Sequence, residues 1–389
     1  MFMTIRTALL GAVATSGLLF SAPVTLLAKE KVATTSSSNK LIPYDMITLS
    51  NGLRVIVHTE RKAPVVSVAV WYHVGSKDEK AGRTGFAHLF EHLMFNGSEN
   101  FNDEWFGPME EIGATDLNGT TWFDRTNYFQ TVPKTAVERV LWMESDRMGH
   151  LLGAVTQARL DEQRGVVQNE KRQGDNEPYG LLEYRVLEGL FPPGHPYRWS
   201  TIGSMEDLNA AKLEDVKDWF KTYYGPTNAI LVLAGDIDMA TVKPLAEKYF
   251  GDIAPGNPVG RRAAWVPKRA ENTRDVLYDR VPQARISRNW AVPGYETRDS
   301  VMLALASDIV GGGKTSRLYK SLVFDKALAT SASLGVQDQE IASIAEMEIN
   351  LRPGGDVAEA ERVADQVLAD FLAKGVTKEE LDRAKTSIR

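Results

Sequence analysis

His88-Leu89-Phe90-Glu91-His92 is the stretch of this chain with the clearest capacity for chemistry. Histidines four residues apart on a helix project from one face, about one turn from each other. Two neutral imidazole nitrogens at that spacing can grip one small cation, and zinc, which takes nitrogen and carboxylate oxygen tetrahedrally, fits best. Glu91 adjoins His92 and lies three residues after His88, so it flanks such an ion, placed to accept a proton from water rather than to ligate. A catalytic zinc needs three protein ligands and one open position. The chain has no cysteine and six histidines, so the third ligand must be a carboxylate or a distant histidine. Glu170 is the best candidate. Val166 and Val167 lie four and three residues before it, which turns it toward the apolar side of its helix, where a carboxylate is costly unless a cation compensates it. Asp161 and Glu162 share that helix and stand as alternatives, whereas Glu177 follows a Gly-Asp-Asn turn and is expected to be solvated. His58, His73, His150 and His195 are each isolated and read as core or surface residues. No His-Glu-x-x-His occurs, which removes the ordinary zincin order.

Composition narrows the rest. Without cysteine there are no disulfides, thiolate metal sites or thiol nucleophiles. Lys and Arg number 45 against 51 Asp and Glu, a net charge of −6, which gives no electrostatic reason to bind nucleic acid. At 389 residues and 43% hydrophobic, the chain is expected to fold as two domains. Arg6 is the only charged side chain before Lys29, and Thr7 to Ala28 is an uncharged, largely apolar run. Residues 1–28 therefore read as a secretory signal and 29–44 as a linker, with an N-terminal membrane anchor as the alternative. Export without cysteine suits a bacterial periplasm or secretion.

The elements that must position the motif follow from periodicity. Ile47, Leu49, Leu53, Val55 and Val57 flank Asn51-Gly52, a hairpin signal, and Val66, Val68 and Val70 alternate as a strand. Phe86, Leu89, Phe90 and Leu93 give the motif helix, from Thr84 to about Phe95. Tyr128–Val132 and Ile230, Val232 and Ala234 read as strands, and 136–148, 158–172 and 238–249 as helices. Pro- and Gly-rich residues 253–267 carry no periodicity and mark a boundary. We divide the chain into a zinc-binding domain over 45–254, a linker over 255–272 and a second domain over 273–389. Beyond the boundary the order repeats: strands near Val276 and Ile286, a helix 299–310, a Gly311-Gly312-Gly313 break, a helix from Ser316, two strands over 332–351 and a helix 356–374 ending at Gly375. Two related α+β domains are expected. Thr377 with Glu380 forms a capping box, and the helix it starts is still in pattern at Arg389, which reads as a truncated end.

His88-x-x-Glu91-His92 is the inverted zincin order. Taken with Asn169-Glu170-Lys171-Arg172, Asp175-Asn176-Glu177-Pro178-Tyr179-Gly180, Gly85-Phe86-Ala87, Asn96-Gly97-Ser98, His195-Pro196-Tyr197, Ile202-Gly203-Ser204, Tyr224-Gly225-Pro226-Thr227-Asn228 and Ala234-Gly235-Asp236, it makes the chain resemble the pitrilysin-type (M16, inverzincin) metallopeptidases from about Tyr44 onward. The resemblance implies an α+β fold of two related domains with antiparallel sheets flanked by helices, one zinc on His88, His92 and Glu170, and Glu91 as general base. It implies a clam-like chamber for unfolded peptides. It also matches Gly113–Thr120 to the family's edge strand, with Asn118 and Gly119 as substrate contacts by β-augmentation. Active members add an Arg and a Tyr from a second half, downstream or on a partner subunit, whereas Val323 and Thr330 stand at the corresponding positions here. The expectation is the zinc-bearing half of an exported endopeptidase. The rivals are a non-catalytic binding or assembly subunit of the same fold, and a single-domain metal-dependent lyase, which the chain length disfavours.

Overall fold

The computed structural model describes residues 42–388, so the signal or anchor over 1–28 and nearly all of the linker over 29–44 lie outside the described residues. Six strands form the first sheet: β1 (Asp45–Thr48), β2 (Arg54–Thr59), β3 (Val65–Tyr72), β4 (Thr115–Thr121), β5 (Thr126–Pro133) and β6 (Ala229–Gly235), in the order β1-β2-β6-β3-β5-β4. All pairs are antiparallel except β2 with β6. Around them lie α1 (Phe86–Leu93), α2 (Phe106–Glu111), α3 (Val137–Gly149), α4 (Gln157–Asn176), α5 (Leu182–Leu190), α6 (Met205–Ala210), α7 (Leu213–Tyr223) and α8 (Met239–Phe250). After residues 251–284, which hold neither helix nor strand, come β7 (Arg285–Val292), α9 (Arg298–Gly311), α10 (Arg317–Tyr319), β8 (Ala329–Gln337), β9 (Ser343–Leu351), α11 (Val357–Lys374) and α12 (Lys378–Ile388).

The expected repeat is visible in connectivity. The run β3-α1-α2-β4-β5-α3-α4 recurs as β7-α9-α10-β8-β9-α11-α12, and β3-β5-β4 and β7-β9-β8 share one strand order. The second copy has no histidine, so only the first carries the motif. The apolar alternation is what closes each layer. Val66, Val68 and Val70 are fully buried on β3 in the same core as Leu89, Phe90 and Leu93 of α1, and α1 packs on β4 of that sheet, which fixes the motif helix.

Several local expectations change. The Asn51-Gly52 turn is no two-residue hairpin: Thr48 pairs with Arg54, and the wider loop lets buried Asn51 donate to Phe250 O (2.7 Å) and Ile253 O (3.0 Å), capping the end of α8. The β6 strand forms as expected, and its burial alternates: Ala229, Leu231 and Leu233 are fully buried, while Ile230 and Val232 are half-buried on the opposite face. Val276 lies in no strand: Val276, Leu277 and Tyr278 are exposed in an unpaired segment, since among the described residues no neighbour offers them a ladder. The helix from Ser316 is three residues of α-helix continued by a π-helical stretch, Lys320–Asp325. The Thr377–Glu380 capping box forms as expected.

The two sheets are joined by a buried polar cluster. Lys77 Nζ reaches Asp124 Oδ1 (3.2 Å) and Glu340 Oε2 (2.8 Å), Tyr197 donates to Asp124 Oδ1 (2.6 Å), and the Glu340 amide donates to Asp124 Oδ2 (3.0 Å). His73, expected to be isolated, also meets Glu340. Burial by itself would raise the Glu340 carboxyl, but hydrogen bonds from His73 and Lys77 outweigh it and hold the group at about 2. Because this value lies below the ordinary 4.5, the stabilisation is complete above about pH 4.5 and is lost as pH falls toward 2. Urea midpoints measured from pH 6 to pH 3 should therefore decline, and Glu340→Gln should flatten that decline; equal slopes would contradict the assignment.

Candidate functional site

Gly85 begins α1 in the left-handed region (φ 85°), and a Cβ there would lie 2.7 Å from Ile202 O. Gly203 is equally constrained, with Gly85 N 2.3 Å from its ideal Cβ, so two glycines allow the chain to cross where the motif helix starts. Buried Glu79 completes that start by accepting from Ala87 N (2.9 Å), Gly85 N (3.2 Å) and Trp199 Nε1 (2.9 Å). The helix packs on α4, which is anchored at its far end by Tyr179: its hydroxyl donates to Gln283 O (2.7 Å) and Arg285 stacks on its ring.

This packing brings the expected ligand residues together. His92 Nε2 and His88 Nε2 lie 3.4 and 3.7 Å from one and the same oxygen, Oε2 of Glu170. The rings are perpendicular, with centroids 4.8 Å apart. These separations exceed an ordinary N–H···O hydrogen bond. They approach the spacing of about 3.3–3.4 Å between atoms held tetrahedrally at 2.0–2.1 Å from zinc. His88 Nδ1 is buried with no hydrogen-bond partner, and burial, then the neighbouring His92 ring, lowers the His88 pKa to about 4. The imidazole is therefore neutral near pH 7, as a metal ligand must be. Two nitrogens and one carboxylate oxygen suit zinc, so the residues fit the ion.

Glu170 corrects one detail of the sequence reading. Its side chain is 43% exposed and opens on a cleft rather than the core, because the buried seam of α4 is only Leu160 and Val167, with Val166 exposed. Asp161 is engaged by Arg164 and Gln157, and Asp161, Glu162 and Glu177 all lie on the exposed surface outside the triad. Glu91 is buried beside the imidazoles, where Thr121 Oγ1 donates to its Oε2 (2.6 Å). Burial pushes the Glu91 carboxyl up to about 7, against the Thr121 hydrogen bond and with Glu170 adding to the rise.

These groups line a cleft of about 330 Å³ that also takes in Asn118. Asn118 and Gly119 lie on β4, the edge strand of the sheet. Asn118 Oδ1 accepts from Gly119 N (2.8 Å), and a Cβ on Gly119 would come 2.9 Å from the Phe95 ring, so the strand passes the aromatic wall only as glycine. Sequence reasoning missed Thr121, Phe95, Phe106, Glu104 and Gln163 as cleft or partner residues. Gln163 was within reach of it, being seven residues before Glu170 on the same helical face. Of the other histidines, His195 is buried and stacked on Phe191, while His58 meets Pro43 O (2.7 Å). Val323 is half-buried against the second core, and Thr330 donates to Asn350 O (3.2 Å) within its own sheet. No described helix is long and apolar enough to cross a membrane.

Comparison with known proteins bears on this site. The family model "Insulinase (Peptidase family M16)" matches residues 54–192, the span holding His88, Glu91, His92 and Glu170, and "Peptidase M16 inactive domain" matches residues 210–388. The chain is 30% identical over 367 residues to the zinc protease PqqE of Helicobacter pylori, covering 91% of this chain and 80% of that one. A crystal structure of a protease from Helicobacter pylori superposes with a TM-score of 0.78 at 29% identity, over 89% of this chain and 84% of that one. The first half of the periplasmic protease PqqL from Escherichia coli shares the fold, with a TM-score of 0.70 at 19% identity over 91% and 77% of the two chains. The chain belongs to peptidase family M16.

Proposed function

We propose that this chain is the metal-bearing half of a zinc-dependent endopeptidase that hydrolyses peptides or unfolded polypeptides. The observation that carries this reading is the convergence of Glu170 Oε2 on both imidazole Nε2 atoms beside a buried glutamate. His88, His92 and Glu170 would hold one zinc ion, which when bound supplies the Lewis acidity that polarises a carbonyl and acidifies water. Glu91 is the general base: Thr121 pins Oε2, leaving Oε1 to take a proton from the attacking water and return it to the departing amine. Asn118 and Gly119 align the substrate as an added strand on the open edge of β4.

Val323 and Thr330 are committed to packing and to the sheet, so an Arg/Tyr clamp would come from a second M16 half, downstream or on a partner subunit. That requirement also supports the second reading, a non-catalytic subunit. Residues Thr7 to Ala28 support export, to the periplasm or beyond, with an N-terminal anchor as the alternative. The test is zinc stoichiometry together with hydrolysis of an unfolded polypeptide, by the chain alone and with a second half added. One zinc per chain with cleavage in either state supports the peptidase; zinc without cleavage in both supports the binding subunit.

A further inference from the structure

We infer that the cleft prefers peptides with a lysine or arginine side chain next to the bond to be cut, and that Glu104 is the residue that reads this charge. The inference rests on the peptidase reading above and names its substrate class. Glu104 immediately precedes the buried Trp105 and lines the same cleft as the imidazoles. Its two oxygens are fixed from behind by backbone amides, Oε1 by Phe106 N (2.8 Å) and Oε2 by Gly107 N (3.0 Å). Each oxygen keeps a further lone pair for a ligand. Among the described residues no lysine, arginine or histidine forms an ion pair with it.

The surroundings match an amphipathic cation. The rings of Phe95 and Phe106 stack with centroids 4.8 Å apart and form an apolar wall beside Glu104. A lysine or arginine stem can lie along that wall with its head at the carboxylate. Apart from the imidazoles, the lining carries no basic side chain that would offset the carboxylates: Asn96 and Gln163 hydrogen-bond to each other (3.3 Å), and Asn118 engages Gly119. An acidic side chain placed against Glu104 would meet like charge. Glu104 is exposed, so an apolar side chain leaves it hydrated and the expected selectivity is moderate.

The test uses the full chain carrying Glu91→Gln, loaded with zinc, and fluorescent unstructured decapeptides identical except for one residue, set to lysine, norleucine or glutamate at successive positions. At one position lysine should bind about two- to fivefold more tightly than norleucine, with glutamate weakest, and the gap should shrink in 1 M salt. Glu104→Gln in the same background should bring the lysine and norleucine peptides level, and Glu104→Lys should reverse the order. Equal affinities at every position, no binding of any peptide, or a lysine preference that survives Glu104→Gln overturns the inference. The peptide series on protein with Glu104 intact decides the matter even where a variant fails to fold. A chain that binds with this preference yet hydrolyses no peptide, alone or with a second half, would instead overturn the peptidase reading and leave the charge preference standing.

Discussion

Glu91→Gln is expected to retain one zinc per chain while lowering peptide hydrolysis by about 10²–10⁴-fold, the usual worth of a positioned general base. The amide keeps the shape of the side chain and an oxygen for Thr121, which donates to Oε2 at 2.6 Å, but has no basic site for a proton. The ligand atoms belong to His88, His92 and Glu170, so metal content should not change. Nor should the fold weaken, because the substitution removes a carboxyl that burial already disfavours in its charged form. Metal analysis, thermal melting and turnover of a quenched peptide separate these effects. Turnover within a few-fold of the unaltered chain would dismiss Glu91 as the base, and zinc lost together with activity would make it a ligand instead.

Glu170→Ala should weaken zinc binding by more than about 100-fold, since loss of an outer-shell partner alone costs about 10–100-fold and Glu170 is placed as a direct ligand. Its side chain is 43% exposed and, among the described residues, forms ion pairs with the two imidazoles alone, so stability of the metal-free protein should change by no more than about 0.5 kcal/mol. Glu162→Ala, on the same helix but outside the triad, should keep its zinc. Competition with a chromophoric chelator measures all three proteins on one scale. Equal zinc affinity in Glu170→Ala and the unaltered chain would remove the third ligand and with it the proposed site.

The parts of this protein legible in the sequence are those set by short-range geometry. Helical spacing alone places His88 and His92 on one face, and neighbouring periodicity places Glu91 beside them. The valines of β3, the Thr377–Glu380 capping box and the repeated element order are legible for the same reason, because each depends on a few consecutive residues. Where packing from afar intervenes, local reading slips. Asn51-Gly52 looks like a tight hairpin until Asn51 is seen to cap α8 two hundred residues away, and Val276 looks like a strand until no neighbour is found to pair with it.

Residue spacing alone thus determined a two-imidazole grip with an adjacent carboxylate, and left Glu170 one of several acids on its helix. Tertiary structure decided among them. The packing of α1 on α4 turns Glu170 rather than Asp161 or Glu162 toward both rings. Packing of α1 against β4 brings Thr121 to Glu91, and the tertiary fold sets Glu104 and the Phe95–Phe106 wall in the same cleft. Side-chain direction within one helix is a local property of the backbone, whereas convergence of distant side chains depends on how whole elements bury their apolar faces against each other.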